Sequence, residues 1–400
     1  MSSYLRTKSA KRCLRVTGLF AGVGGFELGL QRAGHHTVML CEADHLAREI
    51  LRKRFRGVAL RTDVRKVRYL PRQIDLVAAG FPCQDLSQAG TTCGLSGRQS
   101  RLVWEAFRLI KKQKPPFVLF ENVPFMLRLN RGREIKRILV RLERLGYKWA
   151  YRVVNAQAFG VPQRRSRVFI LGSRTEDPRN VLLVDDARAL RRYSRGKVYG
   201  FYWTEGNTGI GLAVNAVPAL KNGSGFGIPS APAIAFDDGR IITPHICDAE
   251  RLQGFPPHWT AVADKRFKRK HRWRLVGNAV NVRVSTWIGR RLAQPGKYVE
   301  RKDRKIVDGK WPTAAYNIGT GRFVADVGEF PVSRASQMST FLRFAPKPLS
   351  MRATEGILAR LLDSSLSAKS ILGERLWLYL SELEQPTTIG RRKRNDRDST

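Results

Sequence analysis

In Leu14-Arg15-Val16-Thr17-Gly18-Leu19-Phe20-Ala21-Gly22-Val23-Gly24-Gly25 a short apolar run passes into glycine-rich chain, and residues 26–33 then repeat apolar side chains at helical spacing. Strand, tight turn and helix follow from that order. Glycine lets a backbone approach a ligand closely, and the free N–H groups at a helix start favour the ligand's polar end. Taken alone, a turn that needs glycine for steric reasons would read the same way. Outward from this stretch, apolar runs at 37–41, 74–79, 117–120 and 167–171 alternate with amphipathic segments at 45–55, 102–112 and 133–145. The alternation predicts an α/β domain of parallel strands joined by helical crossovers, with a ligand crevice at the strand carboxyl ends.

From residue 173 the pattern decays. Residues 204–232 are rich in Gly, Ser, Asn and Pro, which reads as a smaller loop- and strand-rich domain. Helical periodicity returns near 280–292 and stops at Gln294-Pro295-Gly296. The expected organisation is a basic tail (1–13), a main domain (14–172, completed by 275–293), a second domain (173–274), a C-terminal extension (294–385, with helices near 354–362 and 370–383) and a second basic tail (386–400).

The 400 residues carry 73 Lys and Arg against 33 Asp and Glu, a net charge of +40. Excess charge does nothing for a fold, whereas each phosphate neutralised releases a condensed counterion, so nucleic acid is the first partner to consider. Apolar residues at 42% exclude a mostly disordered chain. Five scattered cysteines, without a CxxC pair, fit a reducing cytosol, and no metal site is expected. No apolar window is long enough for a membrane span.

Chemistry-bearing residues gather at the predicted strand ends. Glu42 ends the second strand, where an acid suits a ribose diol, and Asp63 ends the third. Cys83 lies in Gly80-Phe81-Pro82-Cys83-Gln84-Asp85-Leu86-Ser87, a loop at the crevice, and is a candidate nucleophile. Glu121 closes the next strand in Phe120-Glu121-Asn122-Val123, and Arg165 and Arg167 share a face if that segment is extended.

In order, these segments resemble the cytosine-C5 DNA methyltransferase family. Phe20 to Gly25 is similar to its S-adenosyl-L-methionine loop, Pro82-Cys83-Gln84 to its nucleophile loop, Glu121-Asn122-Val123 to its base-holding acid, and Gln163 to Arg167 to its paired arginines. Arg251-Leu252-Gln253-Gly254-Phe255-Pro256 and Gly277-Asn278-Ala279-Val280 resemble the last two blocks. Gly18, where the family usually has Asp or Ser, and Ala279, in place of a common Ser, depart from the pattern.

The resemblance implies a Rossmann-like methyltransferase domain, a target-recognition domain and the extension. It implies that Phe20, Gly22, Gly24, Gly25, Glu42, Asp63, Val64, Pro82, Leu102, Asn278 and Val280 hold S-adenosyl-L-methionine. It implies that Cys83 adds to C6 of a flipped-out cytosine while Glu121, Arg165 and Arg167 hold or orient the base. Gln84 and Ser87 are expected near the opened base, Lys221 and Arg240 to read sequence, with the arginines near 188–195 beside them, and Lys268 and Arg269 to touch phosphates. The implied partner is double-stranded DNA, for a monomer in the bacterial cytosol, with a cognate restriction endonuclease acting separately. An RNA (tRNA) cytosine-C5 methyltransferase and a non-catalytic DNA-binding protein on the same fold are the alternatives.

Overall fold

A computed structural model describes residues 11–82, 95, 100–190, 197–205, 209–221, 230–264, 270–307, 310–334 and 336–384. Its centre is a ten-stranded sheet. Across it the strands run Arg304–Lys305, Phe323–Val324, Ala314–Asn317, Lys148–Asn155, Ser166–Ser173, Phe117–Asn122, Leu76–Gly80, Arg15–Leu19, His36–Cys41 and Ala59–Arg61. The five strands from Phe117–Asn122 to Ala59–Arg61 are parallel, and the chain reverses its direction of travel between Arg15–Leu19 and Leu76–Gly80. Such a switch point leaves a crevice at the strand carboxyl ends.

The expectation of an all-parallel sheet needs correcting at Ser166–Ser173, which is antiparallel to both neighbours. Lys148–Asn155 adds a strand that apolar pattern did not announce. It contains Arg152, fully buried, whose guanidinium donates to the carbonyls of Gly328 and Leu182 and pairs with Asp186. A buried charge is tolerated when its donors are all occupied in this way.

Helices cover both faces. Gly25–Arg32 and Val282–Ala293 pack on one, through Val16, Leu30 and Ile288. Val103–Gln113 and Arg133–Arg144 pack on the other, through Val77, Phe107 and Leu139. The first pair approaches closely: a Cβ on Gly29 would lie 2.3 Å from Ser285 Cβ.

A second, five-stranded antiparallel sheet runs Ala213–Val214, Tyr199–Phe201, Ala233–Ala235, Ile241–Thr243 and Lys347–Pro348. Helices Met351–Leu362 and Ala368–Glu384 bury its apolar side, with Ile357, Leu361, Leu372 and Leu376 against Phe201, Ala233 and Ile241. Residues 294–385 therefore do not stand apart as an extension. Their first part completes the edge of the large sheet and their last part completes the small one. Likewise 246–264 returns to the large domain, where Phe255 and Trp259 pack with Leu46, Ile50 and Leu275. Among the described residues no helix is long and apolar enough to cross a membrane.

Candidate active site

The carboxyl ends of the central parallel strands open into one cleft of about 1170 Å³. The turn after Arg15–Leu19 forms part of its wall. Phe20 and Gly22 both take left-handed backbone conformations, with φ of 56° and 55°, and the Gly22 N–H donates to Glu42 Oε2 at 2.7 Å. Asp44 N–H donates to Glu42 Oε1, also at 2.7 Å. Burial pushes the Glu42 carboxyl pKa up and these amides partly oppose it. Asp44 caps helix His45–Arg54 through the Ala47 N–H and pairs with Arg274 at 2.7 Å, so this wall is tied to the chain's later blocks.

Asp63 caps the short helix Val64–Lys66, and its hydrogen bonds to Arg65 hold its carboxyl below the usual range. Val64, Pro82, Leu102 and Asn278 line the same cleft. Gly24, Gly25 and Val280 are not among its lining residues. A Cβ on Gly24 would meet the Phe55 ring at 2.4 Å, and one on Gly25 would meet the Val280 carbonyl oxygen at 2.2 Å. Packing behind the turn accounts for both glycines. Gly18 has a reason of the same kind, because a Cβ there would sit 1.9 Å from Glu27 Oε1. Any larger residue at 18 would displace that carboxyl group.

Glu121, 8% exposed at the end of Phe117–Asn122, faces the other part of the cleft. Arg167 Nε lies 3.1 Å from Glu121 Oε1. Burial raises the Glu121 pKa, and the nearby charges of Arg167 and Arg165 work against it. Arg165 also lines the cleft and is itself buried, with Nη1 donating to Leu220 O at 3.1 Å and Nη2 to Ala279 O at 2.9 Å. The second bond uses a backbone oxygen, so Ala in place of Ser at 279 costs it nothing. The site thus holds a buried carboxyl group flanked by two guanidinium groups.

Cys83, Gln84, Ser87, Lys268 and Arg269 lie outside the described residues. Pro82, next to Cys83 in the chain, lines the cleft, and Asn122 Nδ2 donates to the carbonyl of Phe81 at 3.1 Å. Lys221 and Arg240 are not in the cleft lining. Lys221 Nζ pairs with Glu205 at 2.5 Å and stands over the Tyr202 ring. Arg240 pairs with Asp238 at 2.6 Å in the turn between two strands of the small sheet. Arg188 is held by Asp186 and Asp326.

Sequence reasoning missed Asn122, Trp104 and Arg274, all of which line the cleft. An amide directly after the acid at a strand end was a usable signal for the first. Nothing local marks the other two. Gln163 ties the domains together: its Oε1 accepts from Leu220 N–H at 3.0 Å and its Nε2 donates to Leu252 O at 2.9 Å.

Residues 14–197 match the family described as C-5 cytosine-specific DNA methylase. Over 363 residues, 87% of this chain and 93% of its relative, the sequence is 47% identical to the Type II methyltransferase M2.BsuMI of Bacillus subtilis (strain 168). The chain belongs to the C-5 cytosine-specific DNA methylase family. The Type II methyltransferase M.DsaV of Dactylococcopsis salina is 27% identical over 74% of this chain and 91% of its own. A solved methyltransferase of Entamoeba histolytica, EhMeth, aligns over 69% of this chain and 97% of its own at 14% identity, with a TM-score of 0.49. As a C-5 cytosine DNA methylase the protein is a transferase of methyl groups to DNA, and its Rossmann-like sheet is the methyltransferase fold.

Proposed function

We propose that the cleft binds S-adenosyl-L-methionine and one flipped-out cytosine of duplex DNA side by side, and that Cys83 is the nucleophile. The single observation that carries this reading is that Phe20, Glu42 and Asp63 line the same cleft as Glu121, Arg165 and Arg167. The donor set fits the cofactor. Glu42 offers carboxylate oxygens to a ribose diol, while Val64 and Leu102 offer apolar contact and Asp63 a polar edge to an adenine. When bound there, S-adenosyl-L-methionine supplies an electrophilic methyl group on sulfonium.

Cytosine C5 is too weak a nucleophile to take that methyl while the ring stays aromatic. Addition of the Cys83 thiolate to C6 forms an S–C6 bond and moves the C5–C6 electron pair toward C5 and N3. Glu121, whose pKa burial raises, donates a proton or hydrogen bond at N3 and so neutralises the developing charge. Arg165 holds the carbonyl oxygen of the base, and its charge favours the thiolate. Arg167 acts through Glu121, aligning its carboxyl group. Later loss of the C5 proton to a base lets its electron pair re-form the C5–C6 double bond as the S–C6 bond breaks, which restores both the aromatic ring and the Cys83 thiolate. C5 and C6 are stacked inside a duplex, so the base must leave the helix first. The small-sheet domain is the proposed reader of the target sequence, and a cognate endonuclease the proposed separate partner.

Bisulfite sequencing of DNA from cells expressing the protein should reveal one methylated cytosine context, and Cys83→Ser should abolish it. Duplexes carrying 5-fluorocytosine at that site should trap the parent protein covalently and leave the variant free. Methylation persisting in Cys83→Ser would overturn the nucleophile.

A further inference from the structure

Beyond the cleft, helix Arg133–Arg144 turns a cationic stripe outward. Arg133, Lys136, Arg137, Arg141 and Arg144 line a groove of about 670 Å³ together with Trp104. They fall at spacings of three and four, so like charges sit as neighbours on one helical face, which weakens a helix by itself. The acids of the helix do not relieve them. Glu143 is taken by Arg322, Trp149 and Asn317. Glu134 is buried, accepting from Leu95 N–H and Asn130, and reaches only Arg137, at 3.6 Å. Among the described residues no ion pair joins Arg133, Lys136, Arg141 or Arg144 to a carboxylate.

We propose that this groove binds the backbone of duplex DNA flanking the methylated site. The stripe extends about 16 Å along the helix, long enough to meet several phosphates of a duplex. Five cations on one side of the helix therefore face a polyanion of opposite sign. The groove also adjoins the catalytic cleft, because Trp104 lines both, and its ring supports Arg137 at 5.2 Å. The inference rests on the methyltransferase reading, since it takes the substrate itself as the occupant.

The test uses the full chain with three exposed residues changed together, Arg133→Gln, Lys136→Gln and Arg144→Gln, on site-containing duplexes of about 14 and about 40 base pairs; each lost phosphate contact should lower the slope of log affinity against log salt by about 0.9. The slope for the long duplex should fall by about 2 to 3, and that for the short one by less than 1. Arg133→Lys with Arg144→Lys should keep the slope of the parent. An unchanged slope on the long duplex, an equal fall on both duplexes, or a loss in the lysine variant would overturn the proposal. So would a fall seen with structured RNA and not with DNA. Methyl incorporation by the parent protein is read separately, so its failure would sink the proposed function while the slopes still report on the groove.

Discussion

Glu27 is completely buried in the helix that follows the glycine turn, and among the described residues no side chain pairs with its carboxyl group. Burial pushes its pKa from 4.5 to about 8, with Glu42 adding to the shift. A carboxyl group whose folded-state value is raised favours the fold fully below pH 4.5 and loses that contribution as the pH climbs toward 8. The parent protein should therefore melt at a lower temperature at pH about 8.5 than at about 6.5, and Glu27→Gln should show a smaller difference between the two. Melting temperatures at the two pH values check this, and an equal difference in parent and variant would contradict it. That Glu121, Arg165 and Arg167 gather at one cleft was legible because strand-end position and residue type coincide. The glycines were less so. A run of glycines does not say which one faces a ligand and which one makes room for a Phe55 ring or a Val280 carbonyl.

At the scale of elements, the pairing of helix Gly25–Arg32 with Val282–Ala293 joins the first and last blocks of the main domain. Gly29 and Gly289 set its spacing; a Cβ on Gly289 would lie 2.7 Å from Ala33 Cβ. Gly29→Ala should cost about 1–3 kcal/mol through overpacking against Ser285, read as a lower midpoint in urea unfolding, with no polar group of the cleft touched. Helices were easy to foresee from their apolar spacing, and Val103–Gln113 and Arg133–Arg144 fall within a residue or two of expectation. Strand direction was not, since an apolar run reads identically forward and backward; hence the surprise at Ser166–Ser173. Lys148–Asn155 escaped notice because Arg152 interrupts an otherwise buried strand, and only tertiary partners explain that charge.

For the whole molecule, the last hundred residues serve both domains. Truncation after Ala293 would strip Ala314–Asn317 from its pairing with Lys148–Asn155 and uncover the small sheet where Leu372 and Leu376 now lie. Exposed edges and apolar faces drive association, so the truncated chain should be insoluble, and a soluble fragment with a cooperative melt would contradict this account. Sequence order hid the arrangement, because contacts between residues more than a hundred apart leave no local periodicity. The small sheet takes strands from 199–243 and from Lys347–Pro348, with the catalytic chain running between them. A chimera meant to borrow another relative's small-sheet domain would therefore require two separate grafts, one internal and one terminal. Exchanging either alone would leave a hybrid whose halves were never shaped for each other.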